Sequence, residues 1–108
     1  MNITLKRTRL GQHSIEGSLW ISGERICDTT EHILYAALPD CYAITMQHFP
    51  FIHGNGIHTL RTSHILVGEA LVPGVVTHSR QAYDLLRERI RKAISRRTEV
   101  TLTILPIP

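Results

Sequence analysis

Apolar and polar positions alternate from the start of the chain: Ile3, Leu5 and Arg7 fall on one side of an extended segment, Thr4 and Lys6 on the other. A period of two is the mark of a half-buried strand. After Gly11 the run Ile15–Ser22 repeats it, with Leu19 and Ile21 on one face and Trp20 on the other. Ser22-Gly23-Glu24 reads as a tight turn, since glycine takes positive φ at no steric cost. Arg25–Thr29 is the returning arm, which makes 19–29 the clearest hairpin in the chain. Thr30–Ala37 fits either a short helical turn or an irregular connection. Pro39 and Asp40 interrupt it, and Cys41–Gln47 predicts another strand, with Tyr42, Ile44 and Met46 opposed to Cys41, Ala43 and Thr45. Phe49-Pro50-Phe51 and Gly54-Asn55-Gly56 predict a loop whose glycines supply positive φ in a sharp reversal. Ile65–Val67, ending at Gly68, predicts a short buried strand, and Pro73-Gly74 a turn.

Beyond Ser79 the period lengthens to that of a helix. Tyr83, Leu86, Ile90 and Ala93/Ile94 form one apolar stripe over Arg80 to about Arg96, and Ser79 suits the N-cap. Glu88 precedes Lys92 by four in the favourable order, and the cations near the helix end suit its dipole. A last strand, Glu99–Leu105, sets Val100, Leu102 and Ile104 against Thr101 and Thr103, and Pro106 ends it. There is no internal repeat, low-complexity tract or linker. The expectation is one α+β domain over 1–108: a curved, mostly antiparallel sheet of about five to seven strands with one C-terminal amphipathic helix packed on it.

Composition narrows the class. The 108 residues are 43% hydrophobic and 19% charged, which suits one globular core rather than disorder. No stretch nears the roughly 20 apolar residues of a membrane span. The N-terminus reads as a strand rather than a basic head with an apolar run, so no leader and a cytoplasmic location are expected. Two cysteines, Cys27 and Cys41, suit a reducing compartment, although one bridge between neighbouring strands stays open. A net charge of +3 invites a nucleic-acid reading. The cations concentrate at Arg87, Arg89, Arg91, Lys92, Arg96 and Arg97 around Glu88, as on a solvated helix face. Clustered aromatics and docking motifs are absent, which argues against nucleic acid as partner.

Candidate chemistry gathers in one segment, which holds His53, His58 and His64. Three imidazoles can hold zinc, nickel or copper and leave a position open. Their spacings of five and six do not stack them on one helix face, so the metal needs the loop to converge; otherwise they are independent surface histidines. A second option is a Cys/His nucleophilic pair, with Cys41 at its strand entrance favoured over Cys27 in the hairpin pattern. Gly54-Asn55-Gly56 lacks the Lys-Ser/Thr ending of a phosphate loop.

The order of short motifs resembles a small family of domains of unknown function from gut bacteria and phages. The matching residues are Leu5-Lys6-Arg7, Gly17-Ser18-Leu19-Trp20-Ile21-Ser22-Gly23, Cys27-Asp28-Thr29-Thr30-Glu31, Leu38-Pro39-Asp40-Cys41-Tyr42, Gly54-Asn55-Gly56 and Ile65-Leu66-Val67-Gly68-Glu69. Ser79, the helix and the final Thr-Leu-Thr-Ile strand complete a match over nearly the whole chain. In many such relatives a Cys or Ser preceded by Gly stands before Ile-Leu-Val-Gly, with Ile-His upstream. That arrangement is similar to the L,D-transpeptidase motif, which crosslinks peptidoglycan through a cysteine thioester. Here the positions hold Ser63 and His64, so the cysteine is missing. The resemblance thus implies a non-catalytic module of phage or mobile-element origin that binds protein or cell wall. The alternatives are a variant peptidoglycan-acting enzyme using His58, Ser63, His64 or Cys41, and a metal module on the three histidines.

Overall fold

The computed structural model describes residues 1–34, 41–56, 59–61 and 63–108. Along the chain run β1 (Asn2–Leu10), β2 (Ser14–Ile21), β3 (Glu24–His32), β4 (Cys41–Ala43), β5 (Phe51–Ile52), β6 (Ile65–Val72), β7 (Val75–Thr77), α1 (Ser79–Ser95) and β8 (Thr101–Leu105). The strands form a curled half-barrel in the order β4-β8-β1-β2-β3-β6-β5, with β7 attached to β6. Among the described residues only β1–β8 and β5–β6 pair in parallel. The expected α+β fold, a mostly antiparallel sheet with one helix on it, is what the chain adopts.

The hairpin β2–β3 turns on Ser22 (φ 52) and Gly23 (φ 80), the two successive positive values of a type I′ turn. Register then sets the inner face. Ile3, Ile21 and Leu102 lie at one end of it; Leu5, Leu19, Cys27 and Ile104 follow; Arg7, Gly17, Thr29 and Val67 come next; Ile15, Glu31, Ile65 and Phe51 close the other end. Leu86 and Ile90 of α1, both fully buried, pack on this face with Tyr83, Ala93 and Ile94 flanking them. At roughly 1.5–3 kcal/mol for each fully buried large side chain, this contact holds the helix in place.

At the polar end, Arg7 Nε and Nη2 donate to Glu31 Oε2 and Oε1 at 3.0 and 3.1 Å. Glu31 is fully buried, and burial pushes its carboxyl above the usual value while the Arg7 guanidinium pulls it back. Gly17, opposite Arg7 and Thr29, keeps the space over β2 clear: a Cβ there would lie 2.7 Å from Lys6 O and 2.9 Å from Thr29 Oγ1. The outer face has its own carboxylate. Ser14 Oγ, Thr30 Oγ1 and the Gly74 N–H all donate to Glu16, which ties the β6–β7 turn back onto β2 and β3.

Several expected boundaries move. The predicted strand 41–47 ends at Ala43, because Thr45 Oγ1 accepts the His48 N–H at 3.0 Å and turns the chain. The expected loop after it contains β5, an edge segment that tolerates Pro50, whose carbonyl accepts the Ile65 N–H at 2.7 Å. The arm Arg25–Thr29 extends to His32, β6 continues past Gly68 to Val72, and β7 follows the Pro73-Gly74 turn, giving eight strands among the described residues. The connection expected over 30–37 lies partly outside the described residues. Ser79 is not the N-cap. His78 holds that place in the left-handed region (φ 53), with no side-chain cap, and Ser79 instead bonds Val67 O and accepts the Gly54 N–H. Neither Gly54 nor Gly56 has positive φ; Gly54 is needed for closeness, since a Cβ there would meet Thr59 Oγ1 at 2.4 Å.

Candidate functional site

The loop after β5 and the first turns of α1 bound an open trough. Phe49, Phe51 and His53 alternate onto the inner side of the sheet, where Phe49 and His53 meet Tyr83 of α1. Ring centroids lie 5.4 Å apart for Phe49–Phe51, 5.9 Å for Phe49–Tyr83 and 5.0 Å for His53–Tyr83, all edge-to-face. His53 and Tyr83, with Ile52, Thr59 and Arg61, line a hollow of about 410 Å³. A second hollow of about 610 Å³ shares His53 and Thr59 and continues past Asn55 to His78 and Arg80.

The trough has an aromatic floor and polar walls. His53, Arg61, His78 and Arg80 line it. Glu69 Oε2 lies 3.1 Å from His78 Nδ1, and Asp84 accepts from Arg80 Nε at 3.2 Å. Arg61 is exposed and has no ion pair among the described residues. The Thr59 hydroxyl donates to Gly56 O at 2.6 Å, which fixes the loop wall. The arrangement can hold a negatively charged group on Arg61 beside a planar or apolar side chain on Tyr83 and His53.

His53 and His64 do not converge as a metal needs. With Phe51 opposite Ile65, His53 falls level with Val67 and His64 level with Pro50, three rows or about 10 Å apart along the strand direction. They also face opposite ways. His53 points to Tyr83, whereas His64 precedes the core residue Ile65 and so faces outward. His58 lies outside the described residues, among which no group of three metal-binding side chains comes together.

The nucleophile candidates are likewise separate. Cys27 is buried, and burial pushes its thiol up to about 11, so the thiolate needed for attack is not formed at neutral pH. Cys41 is exposed on β4, at the edge of the sheet opposite to β5, where its only polar neighbour among the described residues is Thr103 Oγ1 at 3.8 Å. That edge adjoins Ile94 at the end of α1, whereas the trough adjoins Tyr83; eleven helical residues, about 16 Å, separate the two. Both cysteines are free thiols, so the bridge left open by the sequence does not form. Ser63 Oγ and His64 Nδ1 are 3.0 Å apart, and burial together with Arg61 holds His64 below its ordinary pKa, leaving it neutral near pH 7. No carboxylate orients the His64 ring among the described residues.

Sequence reasoning missed Arg61, Thr59 and Tyr83 as site residues. Tyr83 was absorbed into the helix stripe, and the signal that could have placed it was the alternation of Phe49, Phe51 and His53. No helix among the described residues is long and apolar enough to cross a membrane. No family model, curated protein or solved structure matches the chain.

Proposed function

We propose that the domain is a non-catalytic binding module, of the phage or mobile-element type implied by its motifs, that takes a carboxylate-bearing peptide in the trough between β5 and α1. Such a peptide is offered equally by a partner protein and by the stem peptides of the cell wall. The observation that carries the reading is the continuity of the two hollows through His53 and Thr59, with the exposed Arg61 at one side. Supporting it, the candidate nucleophile Cys41 is on the far edge of the sheet and Cys27 is buried.

One contact favours the enzymatic alternative: Ser63 Oγ beside a neutral His64 Nδ1 is the start of an acyl-transfer dyad. The two readings part in one experiment. Nuclear magnetic resonance titration with an acidic protein-derived peptide and with a muramyl stem peptide should shift Thr59, Arg61 and Tyr83, and Arg61→Glu should remove the effect. The preferred peptide identifies the source. If neither peptide moves those resonances the binding reading falls, and stem-peptide turnover lost in Ser63→Ala would establish the dyad instead.

A further inference from the structure

Charge is segregated in this chain. Seven of its twelve basic residues and two of its nine acidic ones lie between 79 and 97, leaving that stretch at +5 and the remainder at −2. The helix distributes these charges unequally around its axis. Along the crest, Asp84 pairs with Arg80 at 3.2 Å, and Glu88 with Arg91 at 2.7 Å and Lys92 at 3.9 Å. These pairs account for the acids of the helix. Arg89 and Arg96 have no ion pair among the described residues.

Leu85, Arg89, Lys92 and Arg96 stand at i, i+4, i+7 and i+11, so they form one stripe about 16 Å long. All four are exposed, Leu85 at 66% and the Lys92 side chain at 58%. The stripe contains no acid. Its neighbouring cations, three or four residues apart, repel one another, which a helix face built only for solvation avoids by interleaving signs. An exposed leucine in line with three cations adds a second unmet requirement. Both are met by the same kind of surface.

We infer that the Leu85–Arg89–Lys92–Arg96 flank of α1 docks an acidic, amphipathic segment of a partner protein, whose carboxylates pair with the three cations and whose apolar residue covers Leu85. This surface is distinct from the trough and does not depend on it. Single-stranded nucleic acid is the poorer fit, because the flank offers no aromatic to stack a base and Glu88 and Asp84 crowd the adjoining crest. A lipid surface is poorer still, since one leucine gives too little apolar area to bury.

The test is fluorescence anisotropy on the whole chain with a labelled helical peptide carrying glutamates on both sides of a leucine. Its glutamine counterpart, oligothymidylate and phosphatidylglycerol vesicles serve as comparison probes. The acidic peptide should bind, weaken with added salt, and weaken about tenfold or more in Arg89→Gln/Arg96→Gln. Leu85→Ala should weaken it further, and the loss caused by Arg89→Gln/Arg96→Gln should be the same when measured in an Arg61→Glu background, which removes the trough's contribution. Circular dichroism of the variants should match the parent, because all the altered side chains are exposed. Equal binding of the glutamine peptide, no loss in the double variant, disappearance of that loss in the Arg61→Glu background, or tighter binding of the oligonucleotide or the vesicles through Arg89 and Arg96 would each overturn the assignment.

Discussion

The two faces of the sheet are held by different physics. The inner face is filled by Leu86 and Ile90 against Leu5, Leu19, Ile65, Val67 and Leu102, and the carboxylate of Glu31 on it is fully buried and paired with a guanidinium. The outer face carries the short β6–β7 hairpin, whose turn is held through Glu16 by three neutral donors at a partly exposed site. A carboxylate removed from water requires a cation; one left near water is served by hydroxyls and an amide. The inner contacts therefore determine whether the chain folds at all, and the outer ones determine only whether the hairpin stays down.

The largest effect should follow from placing a charge under the helix. Leu86→Asp buries an unpaired carboxylate and removes a leucine from the core, a cost of more than about 4 kcal/mol against a total stability of about 5–15 kcal/mol. No cooperative thermal transition should remain. A variant with the parental melting temperature would mean that Leu86 is not part of the core contact.

Glu31→Ala comes next. It removes the carboxylate to which Arg7, only 9% exposed, donates twice, and should cost about 3–5 kcal/mol in denaturant unfolding. The double change Arg7→Met/Glu31→Leu should recover most of that loss, because it removes both charges together. If the single and double variants were equally unstable, the pair would be holding more than each other. On the outer face, Glu16→Ala should cost about 1–3 kcal/mol, with hydrogen exchange speeding up in 69–77 while amides of β1 and β8 keep their protection. Uniform acceleration would erase the distinction between the faces.

Thr29 sharpens the comparison in the opposite direction. It is 1% exposed, and its hydroxyl is the one buried side-chain polar atom without a hydrogen-bond partner among the described residues. Thr29→Val replaces that hydroxyl with a methyl of similar size and should raise stability by about 1 kcal/mol. A loss would show that the hydroxyl has a partner after all.

How much of this was legible in the sequence follows from the range of each signal. The hairpin 19–29, the helix stripe at Tyr83, Leu86 and Ile90 and the last strand were readable because two or three neighbouring turns or pleats repeat one pattern. β5 and β7, of two and three residues, are too short to show a period and exist because β6 offers them an edge. Arg7 alternates with Lys6 as an apolar residue would, but its partner Glu31 lies 24 residues away, and only strand register joins them. The trough was hidden for the same reason: Arg61 and Tyr83 line one hollow from a loop and a helix far apart in the chain, while His53 and His64, which stood out by composition, face opposite ways.

The smallest expected effect is a pH dependence at the border between the two faces. His64 follows the β5 side of the sheet outward, next to Ser63 and Arg61, and burial first, then Arg61, lowers its pKa from 6.5. The folded chain therefore binds this proton less readily than the unfolded one. The stability His64 contributes is fully present above 6.5 and drains away as pH falls through 6.5 towards the lower folded value. His64→Gln keeps a polar partner for Ser63 but cannot titrate. Its melting temperature, followed downward from neutral pH, should fall less steeply than that of the parent through this window, with the other histidines common to both. Parallel curves would show that His64 titrates alike in the folded and unfolded chain. A steeper fall in the variant would reverse the sign and place a proton-stabilised contact at His64 instead.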